Sequence, residues 1–113
     1  MKTLVLGKTG LTVTKTALGC LPLQRCTEAD AVDLIRAAFD GGITYFDTAN
    51  AYSDSEKKLG LALSGVRSRA VISTKSGGAD KKTVTAHIEN SLRLLRTDYI
   101  DLLQFHNPAA LPD

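Results

Sequence analysis

Four side chains with complementary acid and base chemistry stand out in this sequence: Asp47, Tyr52, Lys75 and His106. A phenol is a weak acid, and a nearby ammonium favours the phenolate and makes the phenol a better proton donor near neutral pH. Lys75 can supply that ammonium, and Asp47 can pair with it and keep it protonated in a partly dry site. A nitrogen of His106 can hold an incoming carbonyl oxygen near the phenol. The set is suited to protonating an oxygen while a hydride reaches the adjacent carbon.

The elements that must position these groups are short strands alternating with helices from Thr16 onward. Gly19, Asp47, Lys75 and His106 lie at the carboxyl ends of four successive predicted strands and are 28, 28 and 31 residues apart. Alternation of this kind indicates a parallel sheet with right-handed crossovers. A (β/α)8 barrel of roughly 250 residues needs about 31 residues per unit. We therefore expect an α/β fold of the (β/α)8 TIM-barrel type, with the ionisable side chains at the carboxyl ends of adjacent parallel strands, where barrels place their chemistry.

The chain length of 113 residues limits how much of such a barrel is present. Residues 1–15 predict a β-hairpin, because two β-prone runs flank Gly7-Lys8-Thr9-Gly10. Residues 16–113 then hold β/α units 1–4, of which the fourth is incomplete. The sequence therefore predicts an N-terminal hairpin followed by the first four parallel strands only, a half-barrel fragment.

Local patterns predict where the helices and strands begin and end. One helix follows a cap at Thr27 and stops at Gly41-Gly42, and a second starts at Asp54-Ser55 and ends near Gly65. A third starts near Asp80 and carries an apolar stripe. The predicted strands after the first cover residues 43–46, 71–74 and 99–105. The stripe of the third helix consists of Val84, Ile88, Leu92 and Leu95.

Two cysteines and a second histidine are assigned no chemistry. Cys20 and Cys26 are six residues apart, which is neither the Cys-x-x-Cys of redox and zinc sites nor a disulfide framework. We expect both to be reduced thiols, and we predict no metal site. His87 is predicted to flank the apolar stripe of the third helix.

The composition excludes several classes of partner. Fourteen Lys and Arg residues against twelve Asp and Glu give a net charge of +2, without the clustered basic residues that nucleic acids or anionic membranes require. The longest apolar runs are far shorter than the ~18–20 residues that span a bilayer. The N-terminus does not begin like a secretory signal. A cytoplasmic location is the expectation, with a small molecule as substrate and neither nucleic acid nor membrane as partner.

The segment GITYFDTANAYSDSE at residues 42–56, with LGLAL at residues 59–63, resembles the strand-two signature of the aldo/keto reductase family. ISTK at residues 72–75 resembles the family's third strand. Leu92-Arg93, DYIDLL at residues 98–103 and His106 resemble its fourth. The resemblance spans nearly the whole chain and implies the N-terminal half of a barrel of this family.

The resemblance also implies a function. It predicts an NADP(H)-dependent carbonyl reductase in which Tyr52 is the general acid for reduction of an aldehyde or ketone. Asp47 and Lys75 would tune Tyr52 as a proton donor, and His106 would orient the substrate. Many members have Trp after the histidine, whereas this chain has Asn107-Pro108, which implies a less aromatic substrate pocket at that point.

The family's NADPH lies extended across the barrel mouth without a Rossmann domain, and this sequence likewise has no Gly-x-Gly-x-x-Gly. The expected cofactor contacts are Gly19 and Cys20, in the loop after the first barrel strand, together with Asp47. Most of the family's cofactor-binding groups come from strands beyond the fourth. We therefore expect the isolated chain to be inactive, because catalysis by proximity requires both reactants to be held.

Other interpretations remain open. A parallel half-barrel exposes two strand edges, so the chain is expected to self-associate or to complete its barrel with another chain. Its parent could be a non-catalytic, cofactor-sensing or regulatory barrel subunit, or the chain could be a self-associating half-barrel or flavodoxin-like binding module. An isomerase or lyase with Lys75 as a Schiff-base amine is weaker, because Asp47 and Tyr52 have no evident role in it.

Overall fold

The computed structural model describes residues 1–110, which form a short hairpin followed by a four-stranded parallel sheet and its crossover helices. No helix within those residues is both long and apolar enough to cross a membrane. In chain order the elements are β1 (Thr3–Val5), β2 (Thr12–Thr14), β3 (Ala17–Gly19), α1 (Glu28–Asp40), β4 (Tyr45–Asp47), α2 (Ser55–Ala62), β5 (Val71–Ser76), α3 (Lys81–Leu95) and β6 (Leu102–Phe105).

The hairpin of β1 and β2 is antiparallel, with Leu4 opposite Val13. Its turn contains Gly7 and Gly10 at φ angles of +52° and +76°, a region that glycine enters without steric cost. The Thr14 hydroxyl accepts a hydrogen bond from the backbone N–H of Thr44, 3.2 Å away. The hairpin is therefore attached to the chain just before β4 begins, at the end of the sheet opposite the carboxyl ends of its strands.

The sheet has the order β3-β4-β5-β6, and all of its neighbouring strands are parallel. Strand order thus follows chain order, as in the consecutive units of a barrel, and right-handed crossovers then place the three helices on one face. Gly19 pairs with Asp47, and Asp47 pairs with Ser73. This register brings the carboxyl ends of the strands together.

The core lies between the sheet and the helices. Phe46 of β4 and Ile72 of β5 are completely buried and project from the face opposite Asp47 and Lys75. α2 packs between α1 and α3. The helical side chains that complete this cluster are Ala31, Ile35 and Phe39 of α1, Leu59 and Ala62 of α2, and Leu95 of α3.

Three predicted strand boundaries were wrong. β4 begins at Tyr45 rather than Ile43, because the Ile43 N–H donates to Ala38 O and prolongs the turn that ends α1. β5 continues two residues past the predicted end at Thr74. β6 begins at Leu102 rather than Tyr99. The segment before it is instead hydrogen-bonded to the Arg67 guanidinium, through the carbonyl oxygen of Tyr99 and the carboxylate of Asp101.

The helix predictions need similar corrections. α1 begins after Thr27, whose hydroxyl accepts from the Asp30 N–H as predicted. α2 ends at Ala62 rather than near Gly65, and the Asp54 side chain does not cap it but forms an ion pair with Lys58, 2.8 Å away. Short 3-10 turns at Leu21–Arg25 and Arg67–Arg69 were not predicted. On α3, Leu95 of the predicted stripe is buried, while Val84, Ile88 and Leu92 are half-buried.

Candidate active site

An ion pair joins the carboxyl ends of β4 and β5. Lys75 Nζ lies 2.7 Å from Asp47 Oδ2 and donates a second hydrogen bond to the carbonyl oxygen of Thr48, 2.8 Å away. The register explains the contact: Asp47 is opposite Ser73, and Lys75 is two residues further along the same face. The Lys75 side chain is 14% exposed and that of Asp47 is 36% exposed. The ammonium is thus largely shielded from solvent and held by an anion.

Tyr52 and His106 complete the group. The Lys75 ammonium is 5.2 Å from the centre of the Tyr52 ring, which is within cation–π range. The rings of Tyr52 and His106 meet edge to face at 87°, with their centroids 5.5 Å apart. The His106 N–H donates to Ser76 O, so His106 continues the pairing of β6 with β5. The structure therefore brings all four of the predicted side chains together at the carboxyl ends of the strands.

The loop that carries Tyr52 is held by backbone hydrogen bonds on both sides of that residue. The Tyr52 N–H donates to Ala49 O at 3.1 Å, and the Tyr52 carbonyl accepts from the Ser55 N–H at 2.9 Å. The Asn50 N–H donates to Lys75 O at 3.0 Å. Ser53 turns the chain toward α2 with φ of +53°. Tyr52 consequently lies over the strand ends although it belongs to no strand.

Sequence reasoning missed the buried polar side chains beneath this loop. Thr48 and Ser55 are completely buried and their hydroxyl oxygens lie 2.9 Å apart. Glu56 is 1% exposed and accepts a hydrogen bond from the equally buried hydroxyl of Thr74 at 2.8 Å. Lys58 is also buried and donates to two backbone carbonyls, those of Leu23 in the 3-10 turn Leu21–Arg25 and of Cys26 just after it. The available sequence signal was the pairs Thr48-Ala49 and Ser55-Glu56, which belong to the family signature. No role was predicted for their side chains.

Gly19 and Cys20, the two expected cofactor contacts after the first barrel strand, differ in their accessibility to a bound molecule. Gly19 is exposed, and apart from its own atoms and those of its two chain neighbours no atom of residues 1–110 lies within 4 Å of the position that a Cβ would occupy. Cys20 is completely buried, its N–H donates to Asp47 O, and its carbonyl accepts from Ser55 Oγ. Gly19 has open space beside it, whereas both backbone groups of Cys20 are engaged within the protein.

Burial makes the Cys20 thiol unreactive. The pKa of Cys20 is raised to about 12, mainly by loss of solvation; the nearby Asp47 carboxylate acts in the same direction, and Lys75 opposes both. We predict that iodoacetamide at pH 8 labels Cys26, which is half-buried, and leaves Cys20 unmodified in the folded chain, because the thiolate is the nucleophile. Peptide mass spectrometry measures both sites, and labelling in urea is the control. Equal labelling of Cys20 and Cys26 in the folded chain would contradict this prediction.

His87, predicted to flank the stripe of α3, has a specific partner. Its Nδ1 lies 2.8 Å from Ser76 Oγ, which also accepts from the Gly78 N–H at 3.1 Å. These contacts attach α3 to the end of β5 and to the loop that follows. His87 therefore supports the edge of the site without joining the four side chains.

Comparisons with known proteins agree with the sequence resemblance. Residues 3–111 match the model of the Aldo/keto reductase family. L-Galactose dehydrogenase of Arabidopsis thaliana is 38% identical over 117 aligned positions, which cover 90% of this chain and 37% of that protein. Aldo-keto reductase YhdN of Bacillus subtilis is 39% identical over 98 positions, covering 74% of this chain and 30% of that protein. The chain spans about a third of the length of these curated relatives.

Solved structures show the same fold. The holo form of an aldo-keto reductase from Bacillus halodurans superposes with a TM-score of 0.86 at 32% identity, covering 94% of this chain and 40% of that one. An aldo-keto reductase from Klebsiella pneumoniae in complex with NADPH superposes with a TM-score of 0.82 at 33% identity, covering 91% of this chain and 38% of that one. The parallel sheet is thus consistent with part of a TIM-type barrel. This chain belongs to the aldo/keto reductase family.

Proposed function

We propose that this chain supplies the proton-transfer part of an NADP(H)-dependent oxidoreductase that reduces an aldehyde or ketone to an alcohol. The observation that carries the proposal is the position of Lys75, whose ammonium contacts Asp47 at 2.7 Å and lies 5.2 Å from the centre of the Tyr52 ring. A phenol beside a shielded ammonium is suited to giving up its proton.

In this mechanism each of the four side chains has one task. The Tyr52 hydroxyl donates a proton to the carbonyl oxygen of the substrate, and in alcohol oxidation it takes that proton back. Lys75 stabilises the negative charge that develops on the phenol oxygen, and Asp47 keeps the ammonium charged and in place. His106, packed edge to face on the Tyr52 ring, orients the carbonyl oxygen. The nicotinamide cofactor, when bound, supplies the hydride.

Several features beside the site fit a bound cofactor. Gly19 leaves open space next to Asp47, its partner across β3 and β4. Ser73, which pairs with Asp47, and Asn50, whose N–H donates to Lys75 O, each have a buried polar side-chain atom near the site. These atoms, Ser73 Oγ and Asn50 Nδ2, have no hydrogen-bond partner within residues 1–110 and are available to a ligand. We propose that Gly19 and Asp47 contact the nicotinamide end of NADP(H), the cofactor with which the Klebsiella pneumoniae relative was solved. Cys20 would act beneath them, through its bond to Asp47.

A cavity of about 390 Å³ next to His106 provides room for the substrate. Small residues, including Gly77, Gly78 and Ala109, form much of its wall, together with the Asn107-Pro108 pair that follows the histidine. The rings of Phe105 and His106 also line this cavity, so the wall combines two aromatic side chains with small residues. The proposed substrate class is therefore a small aldehyde or ketone, with or without an aromatic ring.

The isolated chain is expected to be inactive, since it spans about a third of its relatives and contains few groups for the cofactor's distal phosphates. The outer edges of β3 and β6 pair with no strand among residues 1–110, and we propose that they associate with further strands of a barrel or with a second copy. Light scattering of the purified chain would measure such association.

A chimera tests the function. Residues 1–113 replace the matching segment of the Klebsiella pneumoniae enzyme, which is 38% of that chain. We expect the chimera to oxidise NADPH with a panel of aldehydes and ketones, and the isolated chain to show no turnover above background. A folded chimera that binds NADPH without turnover would refute the catalytic proposal and favour a cofactor-sensing subunit. Turnover by the isolated chain comparable to the chimera would refute its expected inactivity.

A further inference from the structure

Thr48 and Ser55 lie at the two ends of the segment that carries Tyr52, and their side chains meet in the interior of the protein. Both residues are completely buried. Thr48 Oγ1 is 2.9 Å from Ser55 Oγ, and Ser55 Oγ donates to the carbonyl oxygen of Cys20, also at 2.9 Å. The Tyr52 loop is thus closed by a side-chain bond and attached to the end of β3.

The direction of these hydrogen bonds follows from the number of protons available. A serine hydroxyl carries one hydrogen, and a carbonyl oxygen can only accept. Because Ser55 uses its hydrogen for Cys20 O, the hydrogen between the two hydroxyls belongs to Thr48. The chain of donors therefore runs from Thr48 to Ser55 to Cys20 O, and Ser55 is its central member.

Thr48 also connects this chain to the ion pair. Its carbonyl oxygen accepts from Lys75 Nζ at 2.8 Å, and its N–H donates to Ser73 O at 2.9 Å. A rotation of the Thr48 peptide would move the oxygen that Lys75 requires. The hydroxyl, which is anchored to Ser55, opposes that rotation.

Ser55 holds the other end of the segment through its backbone. Its N–H donates to the carbonyl oxygen of Tyr52, while its hydroxyl accepts from Thr48. Ser55 thus fixes the backbone of Tyr52, the proposed acid. Through Thr48 it also fixes the carbonyl oxygen that accepts from the Lys75 ammonium. Displacements of about 1 Å at such a site can cost about 10²-fold in rate.

We propose that Thr48 and Ser55 are positioning residues that hold Tyr52 and Lys75 in the geometry for proton transfer. The kinetic part of this inference rests on the proposed reductase function. Nothing in the resemblance assigned these two hydroxyls a role.

Isosteric substitution separates the hydroxyl from the packing. Thr48→Val keeps the shape and removes the donor, whereas Thr48→Ser keeps the donor and removes a methyl group. Thr85→Val, which removes an exposed hydroxyl on α3, is the matched control. In the complete 113-residue chain, we expect Thr48→Val to accelerate amide hydrogen exchange at Tyr52 and Ser55 by roughly tenfold, with little change in α3. Unchanged exchange at these two amides, or equal acceleration throughout the chain, would overturn the inference.

The kinetic arm uses the chimera. Thr48→Val and Ser55→Ala are expected to lower kcat by roughly 10- to 100-fold while the KM values for NADPH and carbonyl substrate change less than about twofold. Ser55→Ala should have the larger effect, because it leaves both the Thr48 donor and the Cys20 acceptor unpaired. Thr48→Ser and Thr85→Val should retain kcat.

The outcomes distinguish this inference from the proposed function. If Tyr52→Phe abolishes turnover while Thr48→Val retains it, the positioning role is wrong and the function stands. A loss of kcat in Thr48→Ser as large as in Thr48→Val would assign the effect to packing and would also overturn the positioning role. An inactive wild-type chimera would overturn the proposed function and the kinetic role together.

Discussion

Replacing Tyr52 with phenylalanine in the chimera is expected to lower kcat for carbonyl reduction by about 10²- to 10⁴-fold, the usual contribution of a positioned general acid. Phenylalanine keeps the ring that packs on His106 and faces Lys75, and it removes only the hydroxyl. The dissociation constant for NADPH, measured by fluorescence titration, should change less than about twofold, because the lost group acts on the substrate oxygen.

Tyr99→Phe is the matched control for this substitution. The Tyr99 ring stacks on the Arg67 guanidinium just before β6 begins, away from the carboxyl ends of the strands, and its hydroxyl has no role in the proposed reaction. We expect this variant to keep full activity. A Tyr52→Phe chimera that reduces aldehydes at the wild-type rate would remove Tyr52 from the mechanism.

Gly60→Ala is expected to destabilise the fold by about 3 kcal/mol or more, the upper range for overpacking a filled interior. A Cβ at this buried position in α2 would lie 2.4 Å from Leu94 O and 2.8 Å from backbone atoms of Leu95 in α3. Alanine is the better helix former by about 1 kcal/mol. The clash outweighs that gain because backbone atoms cannot turn aside as a flexible side chain can.

The stability measurement for Gly60→Ala is urea unfolding of the 113-residue chain. Gly77→Ala serves as the control, because a Cβ there would meet no atom of residues 1–110 within 4 Å other than those of Gly77 and its two chain neighbours. We expect the control to unfold close to the wild-type midpoint. If Gly60→Ala were as stable as the wild type, α2 and α3 would have to be further apart than the structure places them.

The convergence of the site could be predicted from the sequence because it depends on two regular quantities. The strand ends recur every 28 to 31 residues, and side chains alternate between the faces of a strand. Together, the spacing and the alternation predicted Asp47, Lys75 and His106 at the carboxyl ends of neighbouring strands, where the structure has the contact between Lys75 and Asp47. Tyr52 was harder, since it lies in a loop; the chemistry of a phenol near an ammonium suggested it, and the family resemblance then implied its role as general acid.

The remaining features depend on tertiary contacts that no local pattern records. Asp54 was expected to cap α2, but its half-exposed carboxylate instead pairs with the ammonium of Lys58, whose side chain is buried. The start of β6 was displaced because the Asp101 carboxylate accepts from Arg67 and from the N–H of Ile72. The pairing of Thr48 with Ser55 likewise joins a loop to a helix across seven residues.

We expect Lys75 to act on the substrate through Tyr52, and a double-mutant cycle in the chimera measures this dependence. Lys75→Met should lower kcat in the wild-type chimera. In the Tyr52→Phe background the same change should have little further effect, because residues that act as a unit give strongly non-additive losses. If the losses of kcat multiplied independently in the double variant, Lys75 would not act through Tyr52.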